Sequence, residues 1–118
     1  MEPANNRLFV KWTNVAYYNQ KVDKLNSFQV VLTNNDATVC ASAANFEVEF
    51  RFNQLQWTTG DHPNSGGTNG LGGNEASAGI DSGDGVNAVE LPGSQTPQVL
   101  DLVTGTNVDD PGVFRFLV

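Results

Sequence analysis

The stretch Phe46-Glu47-Val48-Glu49-Phe50-Arg51-Phe52 alternates apolar and charged residues without a break. In an extended chain successive side chains point to opposite faces. A period of two therefore puts Phe46, Val48, Phe50 and Phe52 on one face and Glu47, Glu49 and Arg51 on the other. A helix would scatter the same phenylalanines around its circumference. The segment predicts a strand buried on one face and wet on the other, the signature of an antiparallel sheet.

The rest of the chain supplies partners for that strand. "RLFVKWTNV" sets Leu8, Val10 and Trp12 against Arg7, Phe9 and Lys11. "SFQVVLT" sets Phe28, Val30 and Leu32 against Gln29 and Val31, and "GVFRFLV" sets Phe114, Phe116 and Val118 against Arg115. Shorter strands are expected at Leu55 to Thr58, Ala88 to Leu91 and Val99 to Val103, seven in all. Turn chemistry separates them. "NND" at Asn34 to Asp36, Asn69-Gly70, Pro92-Gly93 within "LPGS" and "DDPG" before the last strand all favour reversals. "YYNQKVDKLN" alone has room for a helical turn, and it lacks the apolar period of 3.6. The expectation is an all-β chain: an antiparallel β-sandwich or open barrel of about seven short strands carrying a long Gly-rich loop. Trp12 and Trp57 fall in apolar phase and are expected in the core. Residues 1–6 read as a linker end or cloning remnant, and residues 7–118 as one domain.

Charge narrows the choice of function. The chain of 118 residues carries a net charge of −7, and it is unevenly spread. Between Phe52 and Phe114 there is no Lys or Arg, against eight carboxylates at Asp61, Glu75, Asp81, Asp84, Glu90, Asp101, Asp109 and Asp110. Such a half repels phosphate, which argues against nucleic acid and against an anionic membrane surface as partners. Cations and basic partners are favoured, or else the acidic rim serves solubility. Cys40 is the only cysteine and lies between Val39 and Ala41, so neither an internal disulfide nor a thiolate zinc cluster can form. No apolar run reaches membrane-spanning length.

From Gln54 to Gly85 the periodicity disappears into "QLQWTTGDHPNSGGTNGLGGNEASAGIDSGDG". A loop this long inside a domain is functional, covalently or metal constrained, or disordered, which leaves open a metal-holding loop, a recognition surface or a tightly turned structural element. Its residues admit three chemistries. His62, the sole histidine, adjoins Asp61 with Ser65 nearby, but sequence neighbours make a poor triad and there is no nucleophile elbow, so no catalytic residue is assigned. A turn histidine capping the backbone is the plainer reading. Asp81 and Asp84, with Asp61 from another loop, form a candidate Ca²⁺ ligand set completed by backbone carbonyls, although Asp-Gly pairs also serve as ordinary turns. Tyr17, Tyr18 and His62 are candidate binding residues, because adjacent tyrosines in an extended segment point in opposite directions and one is exposed for stacking on a sugar or protein.

Taken in order, "FVKWTNVAYYNQKVDKLNSFQVVLT", "FRFNQLQWTTGD", "GLGGNEASAGIDSGDG", "ELPGS", "TNV" and "PGVFRF" resemble the nidogen-like domain, from about Leu8 to Phe116. That resemblance implies an extracellular or cell-surface, non-enzymatic module of adhesion or matrix proteins, without catalytic residues to carry over. Its partners would be proteins or glycans of the matrix or cell surface. It further implies sequence upstream of "FVKWTNV", so that the first strand offers an open edge to such sequence or to another copy. A calcium-stabilised structural domain of a long microbial adhesin and a carbohydrate-binding module are the alternatives.

Overall fold

The computed structural model describes residues 6–34 and 46–117. Their elements run β1 (Arg7–Tyr17), β2 (Lys21–Asn34), β3 (Phe46–Gln54), β4 (Gly79–Asp81), β5 (Ala88–Glu90), a 3-10 helix (Pro97–Val103) and β6 (Val113–Leu117). β1, β2, β3 and β6 form one antiparallel sheet in that spatial order, and β4 pairs with β5 in a second, two-stranded sheet. The all-β expectation holds.

Register converts the alternating pattern into rows. Trp12, Phe28 and Phe52 lie opposite one another, then Val10, Val30, Phe50 and Phe114, then Leu8, Leu32, Val48 and Phe116. These rows make one apolar face. Its aromatic rings touch across strands, with Trp12 stacked on Phe28 at 5.0 Å and Phe52 edge-on to Phe114 at 6.2 Å. The other face carries Lys11, Gln29, Arg51 and Phe9, Val31, Glu49, Arg115 in successive rows.

Among the described residues, cover lies over only half of the apolar face. Leu91, Val99 and Leu102 pack with Phe114 against Phe50, Phe52, Leu55, Ala78 and Phe116, so the core sits over β3 and β6. Val99 and Leu102 are three residues apart, one turn of a 3-10 helix, and therefore share its inner side. Burying each such side chain contributes about 1.5–3 kcal/mol. No equivalent layer lies over β1 among the described residues, where Leu8 and Trp12 remain 40% and 39% exposed.

Several expectations change in three dimensions. Trp12 is not core, because β1 is the sheet's edge strand and its apolar side has no covering element among the described residues. Trp57 is half-buried, and its Nε1 donates to the carbonyl of Val15 at 2.8 Å. The strand expected at Val99 to Val103 is instead the 3-10 helix. Thr96 caps it by accepting from the Gln98 N–H, and Pro97 opens it, a Thr-Pro start signal present in the sequence. The strand expected at Leu55 to Thr58 is also absent. There Asn26, buried in β2, does the work of a neighbouring strand: its Oδ1 accepts from the N–H groups of Gln56 and Trp57 at 2.7 and 3.2 Å, and its Nδ2 donates to the Trp57 carbonyl at 3.0 Å. β4 was hidden inside the glycine-rich stretch. "YYNQ" forms the β1–β2 hairpin turn, with Asn19 and Gln20 at φ 75 and 59°. Cys40 and the "NND" turn beyond Asn34 lie outside the described residues, as does Val118.

The glycine-rich stretch is an ordered structure. Asn69 and Gly70, at φ 54 and 80°, make the anticipated tight turn, with Thr68 and Leu71 exchanging backbone hydrogen bonds across it. The Gly70 carbonyl accepts from Thr58 and Thr59, and its N–H donates to Asp61 Oδ1 at 2.8 Å. A Cβ here would stand 3.0 Å from the Trp57 side chain and 3.3 Å from the Tyr17 ring. At Gly73 a Cβ would fall 2.2 Å from the Ser65 carbonyl, so close packing excludes any side chain. The two Pro-Gly turns close as expected, Ser94 donating to Leu91 and Val113 to Asp110.

Candidate binding surface

An apolar cavity of about 310 Å³ opens where the cover over the sheet stops. Trp12, Phe28, Val30 and Phe52 form its floor, and Trp57 and Leu100 are among its walls. Asn26 also lines it, so the amide that ties residues 56–57 to β2 sets the position of the Trp57 wall. Beyond the cavity the same face continues to Leu8 and Phe46, 40% and 51% exposed. Contiguous exposed apolar surface of this kind marks a contact site rather than ordinary surface. The sequence pattern found the residues but assigned them to the interior; a period of two reports which side chains share a face, and cannot report whether that face is covered.

The two long edges of the sheet differ. At β6 the side chain of Asn107 pairs with the backbone of Arg115 in both directions, donating to its carbonyl at 2.9 Å and accepting from its N–H at 2.8 Å, while Thr106 Oγ1 donates to the Val113 carbonyl. That edge is blocked. At β1 the Val15 carbonyl is engaged by Trp57, and from Arg7 to Trp12 the pairing among the described residues is with β2 alone.

On the opposite face Glu49 is 5% exposed although its place in the alternation suggested solvent. Arg115 donates to its Oε2 from Nε and Nη2 at 2.9 and 2.7 Å, and Arg51 Nε donates to Oε1. Burial pushes the Glu49 carboxyl up, but the hydrogen bonds and charges of the two arginines outweigh it and hold the group below the usual carboxylate range.

The candidate residues of the Gly-rich region separate. Tyr17 is buried, and its hydroxyl donates to Asp23 Oδ1 at 2.6 Å; that bond foremost, with burial and the charges of Asp23 and Asp61, pushes its phenol up to about 12. Its ring lies against Trp57 at 6.1 Å, which makes it a packing residue. Tyr18 is 56% exposed and meets the His62 ring edge-on at 5.1 Å, so these two are brought together. His62 Nδ1 accepts from the Asn64 N–H at 3.0 Å, the turn-capping arrangement.

Asp81 ends β4 and Asp84 lies in the β4–β5 hairpin loop. Asp81 Oδ1 accepts from Gly83 N–H, and Asp84 Oδ1 accepts from Val86 and Asn87 N–H at 2.8 and 2.7 Å. The N–H groups of Asn87 and Val86 hold the Asp84 carboxyl far below its ordinary range. Asp61 is engaged elsewhere, with Gly70. Among the described residues no group of three or more His, Cys, Asp or Glu is placed to hold a metal ion, so the proposed calcium trio is not assembled.

The profile of the nidogen-like domain matches residues 2–118. The chain belongs to the nidogen-like domain family. It is 34% identical over 110 residues to alpha-tectorin from Mus musculus and from Homo sapiens, and 32% identical to that from Gallus gallus, the alignment covering 92% of this chain. The chain spans about 5% of the length of these curated relatives. No solved structure matches it. No described helix is long and apolar enough to cross a membrane.

Proposed function

We propose that this nidogen-like chain is an extracellular, non-enzymatic binding module of adhesion or matrix type, and that it holds protein partners on the uncovered apolar face of β1 and β2. The observation that carries the reading is the exposure of Trp12 and Leu8 beside a cavity floored by the same face. Desolvated aromatic anchors next to a pocket are the usual centre of a protein contact. Membership of a family shared with alpha-tectorin supports the extracellular setting.

The test is a solid-phase binding screen of the intact chain against matrix proteins and a glycan array, with Trp12→Gln and Leu8→Gln alongside. Protein binding weakened at least about ten-fold by either substitution is the expected result, the size of one anchor lost from an interface. Binding that survives both, or binding seen on glycans alone and lost with Tyr18→Ala, contradicts it and moves the site to the Tyr18–His62 pair.

A further inference from the structure

We infer that the free edge of β1 takes up one further β-strand, donated by a partner polypeptide in which apolar and acidic residues alternate. The inference rests on the apolar-face reading above and names the chemistry of the partner. Three observations converge. First, among the described residues the edge from Arg7 to Trp12 has its regular pairing on the β2 side only, whereas the far edge of the same sheet is blocked by Asn107 and Thr106. An unblocked, regular edge is a template for strand addition.

Second, the apolar rows of the sheet end abruptly at that edge. Trp12, Val10 and Leu8 have cross-strand neighbours on β2 and none on the outer side among the described residues. A strand added there would place alternate apolar side chains beside them and lengthen the floor of the cavity.

Third, the other face of β1 presents unmatched positive charge. Arg7 and Lys11 stand opposite Thr33 and Gln29, and neither makes an ion pair among the described residues. Farther into the sheet the pattern is the reverse: Arg51 and Arg115 are both satisfied by Glu49. The net charge of −7 favours basic partners elsewhere on the chain, but at this edge the two cations unpaired among the described residues select an acidic strand locally. A second copy fits poorly. Antiparallel self-pairing centred on Phe9 sets Arg7 against Lys11, and centring on Val10 leaves both cations facing uncharged or apolar residues.

A labelled synthetic peptide, Phe-Glu-Val-Glu-Phe-Glu, serves as the probe, with fluorescence anisotropy as the readout on the intact chain. Run antiparallel to β1, it sets Phe, Val and Phe beside Trp12, Val10 and Leu8 and a glutamate beside Lys11 and Arg7. The peptide is expected to bind, and Arg7→Glu with Lys11→Glu to weaken it about ten-fold while leaving the melting temperature unchanged, since both residues are exposed. Peptides N-methylated on odd or on even residues separate strand addition from simple adhesion: one set should lose binding and the other keep it, because only alternate N–H groups face the sheet. Equal binding of both sets, equal binding of a Phe-Lys-Val-Lys-Phe-Lys peptide, or no peptide binding overturns the inference. Concentration-dependent dimerisation through this edge would also overturn it, by giving the place to a second copy. If Trp12→Gln still abolishes matrix-protein binding while the peptide fails, the apolar-face reading stands and the added strand alone is refuted.

Discussion

Replacing Asn26 by Ala should loosen residues 56–57 from β2. The buried amide makes three hydrogen bonds to the backbone of Gln56 and Trp57. A net contribution of about 1 kcal/mol per bond, with stranded groups each costing about 1–3 kcal/mol where water cannot reach them, gives a loss of about 3 kcal/mol. Asn26→Asp keeps the acceptor for the two N–H groups but sets an oxygen against the Trp57 carbonyl, so it should lose at least a third of that. Urea unfolding followed by tryptophan fluorescence reads the effect. With a slope of about 1.5 kcal/mol per molar, the Asn26→Ala midpoint falls by about 2 M. Amide exchange gives the local answer, since Gln56 and Trp57 should lose protection before β3 does. A midpoint shift under about 0.3 M, or unchanged protection at those two amides, would refute the idea that the Asn26 side chain holds residues 56–57 against β2.

Glu49→Gln should destabilise by about 2 kcal/mol, a figure reduced because both arginine partners are nearly half exposed. Its folded-state pKa is lowered, so its contribution is complete above the usual 4.5 and fades as pH falls below it; the wild type should lose stability there while the Gln variant stays flatter. Tyr17 has its pKa raised from 10 to about 12, so it adds stability below pH 10 that disappears as pH rises to about 12; phenolate absorbance should show a late transition that Tyr17→Phe removes. Gly70→Ala forces a side chain to φ 80° against Trp57 and should cost about 1–2 kcal/mol by chemical denaturation. Thermal melts in chelator and in millimolar Ca²⁺ should coincide, because Asp84 Oδ1 already accepts from two backbone N–H groups and Oδ2 from the Asn87 side chain; a rise of several degrees would show a native-state ion site.

Much of the architecture was legible because period-two patterning is a backbone property. The alternation from Phe46 to Phe52 showed which residues of β3 share a face, and Pro-Gly and Asn-Gly dipeptides marked three turns. What escaped notice depends on tertiary neighbours. Leu55 to Thr58 reads as a strand locally, yet its hydrogen bonds go to a side chain thirty residues earlier, and no local pattern announces that. Thr96-Pro97 did announce a helix start, but the apolar residues after it drew a strand assignment instead. The candidate surface was not legible: the alternation places Trp12 in the core, and its exposure follows from β1 being an edge with no cover among the described residues. Glu49 shows the converse, an apparent solvent-face carboxylate enclosed by two arginines from its own strand and the next.

If partners attach on the face of β1 that lacks cover among the described residues, the Trp12 ring should report their arrival. Incorporating fluorotryptophan at Trp12 and Trp57 and recording fluorine NMR, with the Trp12→Phe variant to assign the two signals, tests it most directly. On titration with a matrix protein that the intact chain captures, the Trp12 signal should shift and broaden while Trp57, held by the Val15 carbonyl, changes far less. Saturable capture with an unmoved Trp12 signal would contradict the account.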